Sequence, residues 1–96
     1  MKDLNGKVAL ITGATSGIGL AIARRLAQDG ASLAMHGLSP ASEGASLCEE
    51  LGRTFGVATR YYSADLRDPE AISNMIVTIQ ADFLNIDILI NNAGMQ

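Results

Sequence analysis

Four short apolar runs recur along the chain, and a helical pattern fills every interval between them. The first run, KVALIT (Lys7 to Thr12), is continuous rather than alternating, as a parallel strand covered on both faces requires. Ile18, Ile22 and Leu26 follow at a four-residue spacing, with Arg24, Arg25, Gln28 and Asp29 between or beyond them. This predicts an amphipathic helix with those three as its apolar stripe and Gly30 as its stop. SLAMH (Ser32 to His36) is the second strand. Ser39 and Pro40 then predict a helix start, with Ser39 as N-cap, Pro40 at the first helical position, and Leu47, Leu51 and Phe55 on the buried stripe. VATRYY (Val57 to Tyr62) is a more polar third strand, suited to a sheet edge. Asp68-Pro69 repeats the cap-then-proline signal ahead of Ile72, Ile76, Ile79 and Phe83, and DILI (Asp87 to Ile90) is the fourth strand. The pattern is βαβαβαβ. With right-handed crossovers it predicts an α/β fold, an open, doubly wound parallel sheet in the order 3-2-1-4.

Such a sheet must be covered on both faces, and the composition suits it: 48% of the 96 residues are hydrophobic but only 4% aromatic. The core is therefore built from Ala, Val, Ile and Leu, which allow close helix-on-sheet layers. A net charge of -3 and no cluster of Lys or Arg argue against a nucleic-acid partner. The single cysteine, Cys48, has no internal disulfide partner and reads as a small buried hydrophobe on the second helix, in keeping with a reducing compartment. MKDLNGK has no hydrophobic stretch of the secretory kind, and no apolar run is long enough to span a bilayer. A cytoplasmic protein without a membrane partner is expected. No residue cluster suggests a metal site.

Between the first strand and the first helix stands TGATSGIG (Thr12 to Gly19), with glycines spaced G-x-x-x-G-x-G. Gly13 permits a sharp exit from the strand, Gly17 lets the backbone approach a phosphate, and Gly19 lets the helix pack tightly on the sheet. Free N–H groups at the helix N-terminus, with its dipole, then face the anion. The alternative is a tight βα loop without a ligand.

Three segments together, Thr12-Gly13-xxx-Gly17-x-Gly19, Asp65 in ADL, and NNAG at Asn91 to Gly94, resemble the N-terminal motifs of the short-chain dehydrogenase/reductase family. The resemblance runs the length of the chain. It implies a Rossmann-type sheet binding NAD or NADP, and hydride transfer between the nicotinamide and an alcohol or ketone. By position, Gly13, Thr15, Ser16, Gly17, Ile18 and Gly19 would line the adenosine ribose and pyrophosphate. Asp65 would accept a hydrogen bond from the adenine amino group, with Leu66 beside it. Asn92, Ala93 and Gly94 would wall the cofactor cleft, and Asn91 would tie the central strands together. Asp65 could instead be a turn residue closing the third strand, and the asparagines a structural turn. His36, at a strand end near the adenosine side, reads as a rim residue rather than an acid or base.

NAD-preferring members place an acid at the end of the second strand, where this chain has Gly37 and then Leu38. The arginine that would pair with a 2′-phosphate is missing too, since Ser16 and Leu38 stand at the relevant places. HGLSP and NNAGMQ resemble the 3-hydroxybutyrate dehydrogenase branch, which implies NAD rather than NADP. The resemblance also implies a small hydroxy or keto acid as substrate, with Gln96 binding its carboxylate.

The family's proton relay is a tyrosine with a lysine four residues later, aided by an upstream serine. Here the tyrosines are Tyr61 and Tyr62, the lysines Lys2 and Lys7, and no Tyr-x-x-x-Lys exists. No catalytic residue is therefore assigned. The expectation is that residues 1–96 are the N-terminal dinucleotide-binding portion of a longer, single-domain, homo-oligomeric enzyme, inactive alone. A stand-alone nucleotide-binding module is the alternative. A methyltransferase-type sheet fits the glycine spacing poorly.

Overall fold

The computed structural model of the chain describes residues 3–93. The elements are β1 (Val8–Ile11), α1 (Gly17–Gln28), β2 (Ser32–Gly37), α2 (Ala41–Phe55), β3 (Thr59–Ser63), α3 (Pro69–Phe83) and β4 (Ile88–Ile90). All strand pairs are parallel, and the sheet order is β3-β2-β1-β4, as the alternation predicts. Gly94, Met95 and Gln96 lie outside the described residues.

Side chains on a strand alternate between faces, and this splits the core in two. Ala9 and Ile11 of β1 join Leu33 and Met35 of β2 under α1 and α2, where they meet Ala23, Ala27, Cys48 and Leu51. Leu10 and Ala34 point the other way, onto Met75 and Ile79 of α3. β1 is buried along its whole length, whereas β3 and β4 are only half-buried. Among the described residues no helix is long and apolar enough to cross a membrane.

Three local expectations need correction. The face that α1 buries carries Gly19, Ala23 and Ala27, while Ile22 and Leu26 are half-buried and Ile18 is 68% exposed. Small residues win that face because they let the helix approach the sheet closely. A stripe of Ile and Leu would hold it further away. The second correction concerns α2, whose N-cap is Pro40 rather than Ser39. Pro40 has φ -52°, suitable for a helix, but ψ 148°, so the chain is still extended there and the helix opens at Ala41. The Ser39 carbonyl accepts a 2.7 Å bond from the Tyr61 hydroxyl instead. α3 begins as expected: Asp68 accepts the Glu70 N–H at 3.0 Å, and Pro69 follows it into the first turn. β3 starts two residues later than expected, with Val57 packed on the core ahead of the strand.

Candidate dinucleotide-binding site

The C-terminal ends of the four parallel strands open onto one cleft of about 750 Å³. Its lining includes Gly13, Thr15, Ser16, Gly17 and Ile18 from the β1–α1 turn and Leu38 after β2. Asp65 and Leu66 after β3, and Asn92 and Ala93 after β4, also line it, as expected from the sequence. Ligands of open α/β sheets sit at such a crevice, where neighbouring connections leave on opposite faces. Gly19 is buried behind the lining. A β-carbon there would fall onto the Gly13 carbonyl oxygen and lie 2.6 Å from Asn92 Nδ2, so its role is to let α1 close against the turn. The expectations for Gly94 and Gln96 lie outside the described residues.

The turn has the properties an anion site needs. Gly13 and Gly17 have φ of 61° and 57°, a region that other residues enter only at a cost. A β-carbon on Gly17 would meet nothing within 4 Å, so its open side faces the cleft. Ser16, the N-cap of α1, is extended and makes no side-chain cap, and no acidic residue stands in the first turn. The first N–H groups of a helix have no partner within it, so these donors and the positive end of the dipole are available to a phosphate. The residues present fit a dinucleotide's pyrophosphate.

Two polar clamps hold the walls. Thr12 Oγ1 accepts the N–H groups of Asn92 and Ala93, each at 2.9 Å, and Asn92 Nδ2 donates to the Gly13 carbonyl at 3.0 Å. The exit of β4 is thereby fastened to the exit of β1. On the other side stands His36, which lines the cleft but is no exposed rim residue: it is 2% exposed. Its Nδ1 accepts the Gly13 N–H at 3.1 Å, which leaves the ring proton on Nε2, where it is donated to the Ala64 carbonyl at 2.8 Å. The sequence does carry a signal for this role, a lone histidine ending an otherwise apolar buried strand. Buried polar groups are nearly always partnered.

Asp65 is exposed and gripped by Arg67. The Arg67 Nε and Nη2 reach its two oxygens at 3.0 and 2.9 Å, and the Arg67 backbone N–H adds a third bond at 2.9 Å. These side-chain hydrogen bonds, ahead of the backbone bond, hold the carboxyl at a pKa of about 2. It is thus an ionised acceptor at any ordinary pH. Arg67 also lines the cleft and was not foreseen from the sequence. Neither tyrosine lines it. Tyr61 bonds to the Ser39 carbonyl, and Tyr62 donates to Asp82 at 2.7 Å, with burial and then that carboxylate pushing its pKa well above the usual phenol range.

The family model for short chain dehydrogenases matches residues 7–96. D-beta-hydroxybutyrate dehydrogenase of Cupriavidus necator is 43% identical over 93 residues, which are 97% of this chain and 35% of that protein. The crystal structure of L-sorbose reductase from Gluconobacter frateurii, complexed with NADPH and L-sorbose, superposes with a TM-score of 0.89 at 35% identity, covering 97% of this chain and 35% of that one. An NAD+-bound xylitol dehydrogenase superposes equally well, with TM-score 0.89, 39% identity and the same coverage. The chain therefore spans about a third of the length of the relatives it matches.

Proposed function

This chain belongs to the short chain dehydrogenase family, and from that premise we propose that it is the dinucleotide-binding portion of an NAD-dependent oxidoreductase acting on a small hydroxy acid, 3-hydroxybutyrate or a near relative. The observation that carries this reading is the meeting of the glycine turn, Asp65 and Asn92–Ala93 around one cleft at the strand ends. The turn and the N-terminus of α1 hold the pyrophosphate, Asp65 accepts from the adenine amino group, and Asn92 and Ala93 form the wall beyond. When bound, the nicotinamide supplies a carbon that accepts or gives up hydride. NAD is favoured over NADP because Gly37, which ends β2, and Leu38 and Ser39 after it offer no cation to a 2′-phosphate, and the Arg67 fork is engaged on Asp65. The likeness to a D-beta-hydroxybutyrate dehydrogenase supports the substrate class.

Proton transfer needs a group at the cleft, and Tyr61 and Tyr62 both point their hydroxyls elsewhere. Residues 1–96 by themselves are therefore proposed to bind the cofactor without turnover, and Gln96, beyond the described residues, to bind the substrate carboxylate in the whole protein. Calorimetric titration with ADP-ribose, NADH and NADPH tests the first claim, and assay of the full-length gene product with D-3-hydroxybutyrate and NAD tests the second. Gln96→Ala should raise KM for the acid more than for an uncharged alcohol. Binding with no oxidation of any hydroxy acid would leave a stand-alone nucleotide module, and no binding at all would sink the dinucleotide reading.

A further inference from the structure

We propose that His36 is a positioning residue for the cleft, a rigid strut that sets the distance between the glycine turn and the Asp65 segment. This rests on the dinucleotide reading above. One residue meets both walls: its Nδ1 accepts from Gly13 N–H at 3.1 Å, and its Nε2 donates to the Ala64 carbonyl at 2.8 Å. Its own carbonyl accepts the Ala14 N–H at 2.8 Å. Gly13 opens the phosphate turn and Ala64 directly precedes Asp65, so the pyrophosphate and adenine positions are referenced to each other through one imidazole ring. The other link between β2 and Ala64, its N–H to the Gly37 carbonyl, is long at 3.4 Å.

A core side chain chosen for volume alone would be apolar, because a buried imidazole is costly unless both nitrogens are partnered. At His36 both partners are loop backbone at the mouth of the cleft. The partners also select one tautomer, since Gly13 can only donate and the Ala64 carbonyl can only accept. A planar five-membered ring has no torsion between those two nitrogens, so the separation it sets cannot relax as it could through a flexible chain. Affinity for a ligand that reaches both walls gains from this preorganisation, whereas a ligand that uses one wall gains nothing.

The test compares ADP-ribose, which spans both walls, with adenine, which carries neither ribose nor phosphate to meet the glycine turn. The full protein is used with His36→Leu (neither bond), His36→Asn (an acceptor near Nδ1) and His36→Gln (a donor near Nε2). His36→Leu is expected to weaken ADP-ribose roughly tenfold or more and adenine by less than about twofold. Asn and Gln should each recover part of the ADP-ribose loss, and they serve if the Leu variant does not fold. Equal losses for the two ligands would show a merely structural role and overturn the proposal. So would variants that bind ADP-ribose like the wild type. A wild type that does not bind ADP-ribose would instead overturn the dinucleotide reading itself.

Discussion

The Thr12 hydroxyl accepts the Asn92 N–H at 2.9 Å, joining the ends of two adjacent strands across 80 residues of sequence. The same oxygen takes the Ala93 N–H at 2.9 Å, and Thr12 itself is 6% exposed. Thr12→Val keeps the shape and removes the acceptor, leaving two N–H groups with nothing to replace it. Chemical denaturation should show a loss of about 1–3 kcal/mol, with Thr12→Ser recovering most of it. A Val variant as stable as the wild type would mean that those N–H groups find water at no cost.

Gly19 and Gly17 are two residues apart and should fail in different ways. A β-carbon at Gly19 meets the Gly13 carbonyl, a backbone atom that cannot yield without moving the helix. Gly19→Ala should cost about 1–3 kcal/mol in stability from overpacking, despite alanine's better helix propensity. At Gly17 there is open space and a φ of 57°. Gly17→Ala should cost about 1–2 kcal/mol for the left-handed backbone, yet weaken ADP-ribose binding more than Gly19→Ala does at temperatures where both are folded. Thermal melts and titrations of the two variants check the contrast.

What was legible in the sequence follows from what hydrophobic patterning encodes. The continuous run KVALIT (Lys7 to Thr12) and the more polar VATRYY (Val57 to Tyr62) announced a central and an edge strand, and the glycine spacing placed the turn. The buried face of α1 was legible at Gly19, from the glycine spacing, but not at Ala23 and Ala27, because periodicity weighs Ile18, Ile22 and Leu26 above them, whereas close packing rewards the small residue. The start of α2 depends on Tyr61 gripping the Ser39 carbonyl, 22 residues away in sequence, which no local rule can see. His36 was misread for the same reason, since its bond to the Ala64 carbonyl exists only once β2 and β3 lie side by side; Arg67 was missed although its bonds to Asp65 span only two residues.

The Asp65–Arg67 pair gives a titration with a definite sign. The Asp65 carboxyl is held at about 2 against an ordinary 3.8, first through its side-chain bonds to Arg67. A folded-state pKa below the unfolded one means the pair's stabilisation is present above 3.8 and is lost as pH falls through about 2. Carbon-13 NMR of the carboxyl should follow that low midpoint, and Arg67→Ala should move it up towards 3.8. An unmoved midpoint would show that the fork does not form in solution.

Cys48 gives the opposite sign. Burial pushes its thiol up to about 11 from 9.0, and its Sγ lies 3.5 Å from Met35 Sδ inside the core. The folded state therefore resists ionisation, and stability falls as pH rises from 9.0 through about 11. A thiol reagent near neutral pH should modify native protein slowly, at a rate set by opening, and react promptly in denaturant. Fast labelling without denaturant would contradict the burial.

Gly37 explains why an acid cannot simply be placed at the end of β2 to strengthen the proposed preference for NAD. A β-carbon there would lie 2.9 Å from Thr15 Cγ2 and 2.9 Å from the Tyr61 hydroxyl. Tyr61 cannot easily give way, because its hydroxyl is pinned to the Ser39 carbonyl at 2.7 Å. Thr15 must move, and Thr15 lines the cleft. Gly37→Asp alone should lose about 1–3 kcal/mol of stability and weaken both NADH and NADPH. Adding Thr15→Ser removes the crowded methyl, which should restore part of the stability and leave the new carboxylate free to act on the ribose. The double variant should then favour NADH over NADPH more strongly than the wild type, because a 2′-phosphate would meet a like charge. Paired dissociation constants read that ratio. A single variant with wild-type stability would show that position 37 has room the structure denies it, and an unchanged ratio in the double variant would move the ribose away from β2.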